Sequence, residues 1–440
     1  MSLLNRVQQL PKGFVWGAAT AAYQTEGSTK VAGKGKTMWD DYLVAQGRFL
    51  PDPASDCYEE DIRLSAEHGL NAIRVSIAWT RIFPNGDDAE PLAEGVKHYH
   101  ELFACCKKYG VEPYVSLHHF DSPAALFNQG DWLNRKTVDA YVRYAEFCFR
   151  EFREVKNWFT INELISLSHS QYIQGNFPPN HHFDVTSGIQ SQHNELVAHA
   201  RAVNLYKDLD ETEHLGGRIG MVNVLTPAYP ATDSPADQHA ADLYNAFYTD
   251  FIMDGAFLGH YSARTLSLIN EILRANNATL TVEDSDMEEL AKAAPRNDMF
   301  GLNYYQSAFI AAYDGENGTG NILWSWHVWV TDYSPSATTD ATILLPDNQR
   351  ILKLQNGATS YKPIMDRCLG AYDGYVSVPS DILDMSRANG FHYQRARKDP
   401  FPGSYTAEKI ANQYKFTINA ALPPKHCLNR YNHMGDADRS

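Results

Sequence analysis

The sequence has few cysteines and lacks a long apolar run. Its 440 residues include six cysteines, and no two of them form a Cys-x-x-Cys pair. This spacing argues against a disulfide framework and against a zinc site, so we expect reduced cysteines in the core. No apolar stretch approaches the roughly 18 residues that a membrane-spanning helix needs. We therefore expect no membrane partner.

Positive charge is also scarce. The chain has 38 lysines and arginines against 53 aspartates and glutamates, which gives a net charge of −15 at pH 7. No basic run is long enough to form a patch for phosphate backbones, so we expect no nucleic acid partner. The N-terminal MSLLNRVQQLPKGF lacks the apolar core and the small-residue cleavage site of a secretory signal. The expected location is therefore cytoplasmic.

Short β-branched or aromatic runs alternate with segments of helical period from residue 13 to about residue 305. Six of the runs predict strands, and segments such as SDCYEEDIRLSAEHGL and TVDAYVRYAEFCFREF predict helices between them. The predicted strands are Phe14–Tyr23, Ala72–Trp79, Pro113–Phe120, Asn157–Glu163, Arg218–Val224 and Met299–Tyr305.

This alternation predicts an α/β fold with a parallel sheet, and the near-continuous apolar strands predict burial on both faces. Polar side chains recur where strands end: His118 and His119, then Asn162 and Glu163, then Asn303. A (β/α)8 TIM barrel collects such residues on one rim, so it fits better than an open sheet. A doubly wound sheet stays open as the alternative, although no glycine-rich phosphate loop follows the first strand.

The alternation falters after about residue 310. Residues 311–440 mix turns, prolines and short apolar runs, of which ILWSWHVWV and YVSV are candidate strands. No internal repeat and no low-complexity linker marks a second domain. We therefore interpret residues 1–440 as a single barrel whose last third is atypical.

Glu163 stands where the predicted strand NWFTIN emerges from the core. A buried, unpaired carboxylate is costly, and the usual relief is a raised pKa, a hydrogen-bonded partner or a functional cavity. An ion pair with an arginine at the rim is as good an interpretation, on these residues alone, as a functional one. A strand-end position inside a cavity can also hold a carboxyl group protonated near neutral pH, as a general acid requires.

Five segments follow one another between residues 14 and 305: FVWGAATAAYQTEGS, IRVSIAWTRIFP, SLHHFDSP, FTINE and GLNYY. In order and spacing they resemble the motifs of the family 1 glycoside hydrolases. VEPYVSLHHFDSPAAL and SQYIQGNFPP, with Phe120 where many β-glucosidases have tryptophan, are similar to the 6-phospho-β-galactosidase branch. The resemblance implies a retaining β-glycosidase that hydrolyses a phosphorylated disaccharide, or a related phosphorylated β-glycoside, delivered by a phosphotransferase uptake system.

The resemblance also implies a role for each residue at a matching position. Amides and imidazoles offer directional hydrogen-bond partners to sugar hydroxyls, and a guanidinium orients a carboxylate through its planar fork. The implied roles are acid/base for Glu163, substrate binding for Gln24, His119, Asn162 and Asn303, and support of the nucleophile for Arg74 and Tyr305. No metal and no organic cofactor is implied, because neither acid/base catalysis nor glycosyl transfer requires one.

The family's nucleophile motif, TENG after an apolar strand, has no counterpart beyond GLNYY. The only glutamates after residue 310 are Glu316 and Glu408. We interpret Glu316, in GENG, as a loop residue, and Glu408 as part of the first turn of a helix, where a carboxylate suits the helix dipole. The nucleophile and the residues that would bind a 6-phosphate therefore stay unassigned.

Three explanations fit this last third of the chain: a divergent barrel end, a deleted or misread segment, or an altered end that abolishes hydrolysis. The abruptness of the change favours the second. Two other functions stay open, a catalytically impaired sugar-binding barrel and a hydrolase of unphosphorylated β-glucosides. The sequence does not define the oligomeric state.

Overall fold

A computed structural model describes residues 14–27, 31–45, 57–305 and 307–312, together with the strand segments 326–330, 377–379, 404–410 and 413–419. The chain divides into two compact units. The first comprises Met1–Asn223, Phe251–Leu266 and Ala278–Asn303, and the second comprises Val224–Asp250, Ser267–Asn277 and Tyr304–Ser440. The single barrel across residues 1–440 stays a prediction.

The strands are numbered along the chain. They are β1 Gly17–Ala19, β2 Ala72–Ser76, β3 Glu112–His118, β4 Asn157–Asn162, β5 Arg218–Val224, β6 Ala228–Pro230, β7 Met299–Asn303, β8 Ala308–Ala312, β9 Trp326–Val330, β10 Ser377–Pro379, β11 Ser404–Ile410 and β12 Gln413–Asn419.

Helices separate most of these strands. The α-helices are Ala22–Thr25, Met38–Ala45, Tyr58–Glu67, Trp79–Ile82, Ala93–Tyr109, Ala124–Phe127, Arg135–Glu151, Leu164–Tyr172, Val185–Glu213, Pro235–Asn245, Phe251–Met253, Ala263–Ala275 and Asp284–Ala293. Short 3-10 helices span Asp131–Leu133 and Ala294–Arg296, and π-helical turns span Ala246–Asp250 and Asp254–Leu258. Among the described helices, none combines the length and the apolarity needed to cross a membrane.

The six predicted strands form one sheet in the order β1-β2-β3-β4-β5-β7. The four successive pairs from β1 to β5 are all parallel. A doubly wound sheet reverses its strand order at a switch point, whereas this order runs in one direction along the chain. The order therefore favours the barrel over the open alternative.

β5 and β7 approach each other closely because β5 has a glycine where the two strands meet. A Cβ atom on Gly220 would stand 1.9 Å from the backbone oxygen of Met299, so no other residue fits there without displacing a strand. Asp298 strengthens the same junction, since its carboxylate accepts a hydrogen bond from the Ile219 N–H at 2.8 Å. These contacts place the end of β7, and with it Asn303, beside the ends of β4 and β5.

Several predicted boundaries differ from the observed ones. β1 and β2 are shorter than predicted, because helical turns begin at Ala22 and at Trp79. The helix predicted from Thr137 begins at Arg135, where the Asn134 side chain caps it by accepting from the Lys136 N–H at 3.1 Å. The helix predicted around Glu408 is wrong. That residue lies in β11, whose antiparallel pairing with β12 satisfies the backbone instead.

The cysteine prediction holds for three described residues. Cys105, Cys106 and Cys148 are buried free thiols, whereas Cys57 is exposed, and the remaining two lie outside the described residues.

The second unit contains two further sheets. In one, β8 pairs parallel with β6 and antiparallel with β9, and in the other β12 lies between β10 and β11. The strands predicted within ILWSWHVWV and YVSV correspond to β9 and β10.

Candidate active site

Four of the predicted site residues meet at the carboxyl ends of three strands of the first unit. His119 follows β3, Asn162 ends β4, Glu163 comes next, and Asn303 ends β7. The Asn303 amide nitrogen donates to the Glu163 carboxylate and also lies 3.3 Å from Asn162 Oδ1. One amide thus connects two neighbouring polar side chains at the carboxyl end of β4.

The backbone at Glu163 places its side chain at the rim of the sheet. Its N–H donates to the Val222 carbonyl on β5 at 2.7 Å, which continues the sheet pairing by one residue. The residue then turns into the left-handed region, with φ 50°, and becomes the N-cap of the helix Leu164–Tyr172. This conformation is uncommon for residues other than glycine, and such strain concentrates at functional sites.

The Glu163 side chain is buried, with 7% of the residue exposed. None of the ion pairs within the described ranges includes it, so the alternative of an arginine partner at the rim finds no support there. Asn303 is its hydrogen-bond partner among these residues, and that bond uses Oε1. No hydrogen bond between described residues uses Oε2.

Asn162 is held from two sides. Its Oδ1 faces the Asn303 amide, and its Nδ2 lies 3.4 Å from His119 Nε2, a long contact. An amide nitrogen only donates, so the facing imidazole nitrogen acts as the acceptor and the His119 proton lies on Nδ1. Within the described part of the chain, that buried Nδ1 has no hydrogen-bond partner.

The His119 ring is neutral. Burial lowers its pKa to about 3, and the nearby positive charge of Arg74 and the neighbouring His118 act in the same direction. A neutral imidazole can donate through one nitrogen and accept through the other, which is the bonding pattern that a sugar hydroxyl requires.

The other three predicted site residues are Arg74, Gln24 and Tyr305. Arg74 lies on β2, level with Tyr114 on β3, and close enough to His119 to lower the pKa of that ring. Gln24 is exposed in the helix Ala22–Thr25, and no hydrogen bond between described residues connects its side chain to the four above. Tyr305 belongs to the second unit and is 51% exposed.

Two features of the site are not predicted from the sequence. The Asp121 carboxylate accepts a hydrogen bond from the His119 N–H at 3.2 Å, and the Trp39 indole donates to the Phe120 carbonyl at 2.5 Å. Asp-Ser-Pro is typical of a turn, which is a weak indication that Asp121 bonds the nearby backbone. No local pattern indicates the contact of Trp39, because it lies 81 residues from its partner.

Other chemical roles lack candidates within the described ranges. No group of three or more histidine, cysteine, aspartate and glutamate side chains there is arranged to hold a metal ion. Glu316 lies outside the described residues. Consequently the partner carboxylate stays unassigned.

This fold and this strand-end cluster define a parallel β/α barrel protein with its polar site at the carboxyl ends of the strands. Comparison with known families makes the identity specific. The chain belongs to glycosyl hydrolase family 1, whose model matches residues 6–324. The predicted family and the predicted (β/α)8 architecture are thereby confirmed.

Curated relatives carry a narrower name. The chain is 54% identical over 316 residues to 6-phospho-beta-galactosidase 1 of Streptococcus pneumoniae, and 50% identical over 319 residues to a 6-phospho-beta-galactosidase of Lacticaseibacillus rhamnosus. Each alignment covers 71% of this chain and 66% of the relative, so the chain spans just under two thirds of the length of these relatives.

Solved structures of β-glucosidases are similar at lower identity. A rice β-glucosidase matches with a TM-score of 0.64 at 29% identity, over 74% of this chain and 71% of the other. A β-glucosidase of Trichoderma reesei matches with a TM-score of 0.64 at 31% identity, over 74% and 70%.

Proposed function

We propose that this protein is a retaining β-glycosidase that hydrolyses a 6-phospho-β-galactoside, with Glu163 as its acid/base. The observation that carries the proposal is the bridge from the Asn303 amide to Glu163 and Asn162. It fixes one oxygen of a buried carboxyl and leaves the other for a ligand. Fixed orientation of an acid beside a sugar-binding amide is what protonation of a leaving oxygen requires.

In this mechanism Glu163 Oε2 gives its proton to the glycosidic oxygen as the bond to the anomeric carbon breaks. Glu163 then takes a proton from the water that releases the sugar from the enzyme. The Asn303 N–H holds Oε1, so the carboxyl keeps its orientation through both steps. The second carboxylate attacks the anomeric carbon, and in a retaining pair the two carboxyl groups lie about 5 to 5.5 Å apart.

Asn162 and His119 bind the sugar in this proposal. Both are buried and neutral donors or acceptors at adjacent strand ends, so they can exchange hydrogen bonds with hydroxyl groups without a charge penalty. Arg74, Gln24 and Tyr305 are proposed to complete the site, Gln24 as a further sugar ligand and the other two as supports of the nucleophile.

The proposed substrate class rests on the names of the relatives at 54% and 50% identity. A sugar phosphate is charged, and a charged molecule does not cross the apolar interior of a membrane unaided. Such a substrate therefore arises inside the cell, and we propose a cytoplasmic location. The substrate is a phosphorylated disaccharide or a related β-glycoside, and we propose that nucleic acid is not a partner.

Hydrolysis of o-nitrophenyl β-galactoside 6-phosphate by the purified chain tests the proposal. We expect turnover, a much lower kcat/KM on the unphosphorylated galactoside and glucoside, and galactose 6-phosphate that appears first as the β-anomer in proton NMR. Glu163→Gln should lower kcat strongly, because the water that releases the sugar loses its general base, and Glu154→Gln, on an exposed surface, should leave kcat unchanged. Preference for an unphosphorylated glucoside would assign the β-glucosidase specificity instead, and a product that appears first as the α-anomer would contradict retention.

A catalytically impaired sugar-binding barrel is the second candidate. The observation that favours it is that the family match ends at residue 324, and no TENG motif occurs in the chain. Binding of galactose 6-phosphate measured by calorimetry, together with no turnover of the nitrophenyl substrate, would assign this function and exclude hydrolysis.

A further inference from the structure

We propose that Asp121 is a positioning residue which, together with Trp39, holds the His119 imidazole in the candidate site. The inference rests on the proposed function for its kinetic consequence, although the geometry on which it stands is independent of that function. Both residues act on the backbone of the turn that follows β3.

The turn contains a conformation that needs restraint. Phe120 has φ 64°, in the left-handed region. A bulky residue is disfavoured there relative to an extended or right-handed conformation, because its Cβ lies too near the following carbonyl. Without outside contacts the turn would relax, and the adjacent His119 side chain would move with it.

Contacts hold this turn on both sides of Phe120. The Asp121 carboxylate accepts a hydrogen bond from the His119 N–H at 3.2 Å. The indole of Trp39 donates to the Phe120 carbonyl at 2.5 Å. Because the backbone is restrained on both sides of Phe120, the position of the adjacent His119 side chain is restrained as well.

Trp39 is itself fixed by packing. Its ring meets the ring of Phe177 edge-on, with centroids 4.7 Å apart, and Phe177 also lies 5.7 Å from the ring of Phe120. The backbone next to Trp39 is tied to the same turn, because the Met38 N–H donates to the Ser122 carbonyl at 2.9 Å. The indole is therefore a rigid donor.

Burial of the Asp121 carboxyl group costs free energy, and from this we infer that the residue has a role in the turn. It is 1% exposed, and none of the ion pairs between described residues includes it. Burial raises its pKa to about 7, against the lowering effects of the His119 N–H and of Lys34, and the negative charge of Glu26 raises it further. Burial of an acid in a packed turn is destabilising unless hydrogen bonds compensate for the lost hydration, and the bond from the His119 N–H is the one that the carboxylate accepts there.

The experiment compares Asp121→Ala, Asp121→Asn and Trp39→Phe in the full chain. Asparagine keeps an acceptor oxygen at the same position, whereas alanine removes it, and phenylalanine removes the indole N–H. For o-nitrophenyl β-galactoside 6-phosphate, we expect KM to rise about tenfold in Asp121→Ala with a smaller change in kcat, since the loss of one hydrogen bond from the His119 ring to the sugar is of about this order. Asp121→Asn should stay within about twofold of the original, and Trp39→Phe should raise KM a few-fold.

A spectroscopic readout separates positioning from general destabilisation. In protein labelled with 15N-histidine, the His119 ring signals are identified by their loss in His119→Gln. They should shift in Asp121→Ala and in Trp39→Phe, and return in Asp121→Asn. Asp286→Ala is the matched control, because it removes a buried aspartate bonded to Arg135 and His193 far along the chain. It should lower Tm but leave KM and the His119 signals unchanged.

Unmoved His119 signals in both Asp121→Ala and Trp39→Phe would overturn the inference, and so would an unchanged KM in an active enzyme. If Asp121→Ala does not fold, Trp39→Phe alone decides by the same two criteria. Should the unaltered protein have no turnover, the proposed hydrolysis fails, while the ring signals still confirm or contradict the role of Asp121.

Discussion

The Asn303 side-chain amide donates a hydrogen bond to the Glu163 carboxylate across the carboxyl ends of β7 and β4. The same nitrogen lies 3.3 Å from Asn162 Oδ1, so one group orients both the proposed acid and the amide beside it. The donor lies 140 residues along the chain from Glu163 and 141 residues from Asn162.

Loss of this bridge should affect chemistry more than folding. We predict that Asn303→Ala lowers kcat/KM on a 6-phospho-β-galactoside by about 10-fold to 100-fold, because a hydrogen bond to a charged or reacting group contributes about 1.5 to 3 kcal/mol. Asn204→Ala removes a part-buried amide that bonds Glu289 away from the strand ends, so kcat/KM should stay unchanged there. Equal kinetic losses in the two variants would contradict the assigned role.

Asp121 should make stability depend on pH in an unusual direction. Its pKa is raised to about 7 in the folded protein, against about 3.9 for an unfolded aspartate. Between these values the folded state binds a proton that the unfolded state has lost, so the contribution of Asp121 to the free energy of unfolding decreases as pH rises from about 4 to about 7.

Asp121→Asn removes that dependence. In urea unfolding at pH 4.5, 6 and 7.5, we predict that the variant becomes progressively more stable relative to the original as pH rises. The buried histidines, such as His118, are present in both proteins, so their opposite effect cancels in the difference. A stability difference that is constant over this range would refute the prediction.

Gly220 should be required for the junction of β5 and β7. Any Cβ there would overlap the Met299 carbonyl oxygen, so Gly220→Ala should destabilise the protein by about 3 kcal/mol or more, beyond the usual overpacking range of about 1 to 3 kcal/mol. Gly69→Ala meets open space and has only a left-handed backbone to accommodate, which costs about 1 to 2 kcal/mol. Thermal unfolding followed by circular dichroism measures the Tm of both variants. A decrease in Tm that is smaller for Gly220→Ala than for Gly69→Ala would show that the strands do not meet there.

The sequence predicts the sheet well because its central strands are apolar runs, of which β4 is buried along its whole length. The predicted burial on both faces does not hold at the two ends of the sheet, since β1 is exposed and β7 is only partly buried. Polar residues at the ends of those runs likewise predict the strand-end cluster of His119, Asn162, Glu163 and Asn303, since parallel strands bring their carboxyl ends to one edge. These inferences need only local periodicity and one topological rule.

Other features depend on contacts that no local pattern encodes. The left-handed turn at Phe120 is held by an indole 81 residues earlier in the chain. The orientation of the Asn162 amide depends on Asn303 and His119, which lie on two other strands. The helix predicted at Glu408 failed because a capping residue and an acidic first turn occur equally well at the start of a strand that pairs with its neighbour.

The claim that Glu163 protonates the leaving oxygen has a direct test in leaving-group dependence. The measurement is kcat/KM for the original protein and for Glu163→Gln on two 6-phospho-β-galactosides, one with a dinitrophenolate leaving group and one with an alkyl alcohol. A dinitrophenolate departs without a proton, so the loss in Glu163→Gln should be small there, and about 100-fold to 10,000-fold on the alkyl substrate. Equal losses on both substrates, or full activity of Glu163→Gln on the alkyl substrate, would contradict the account.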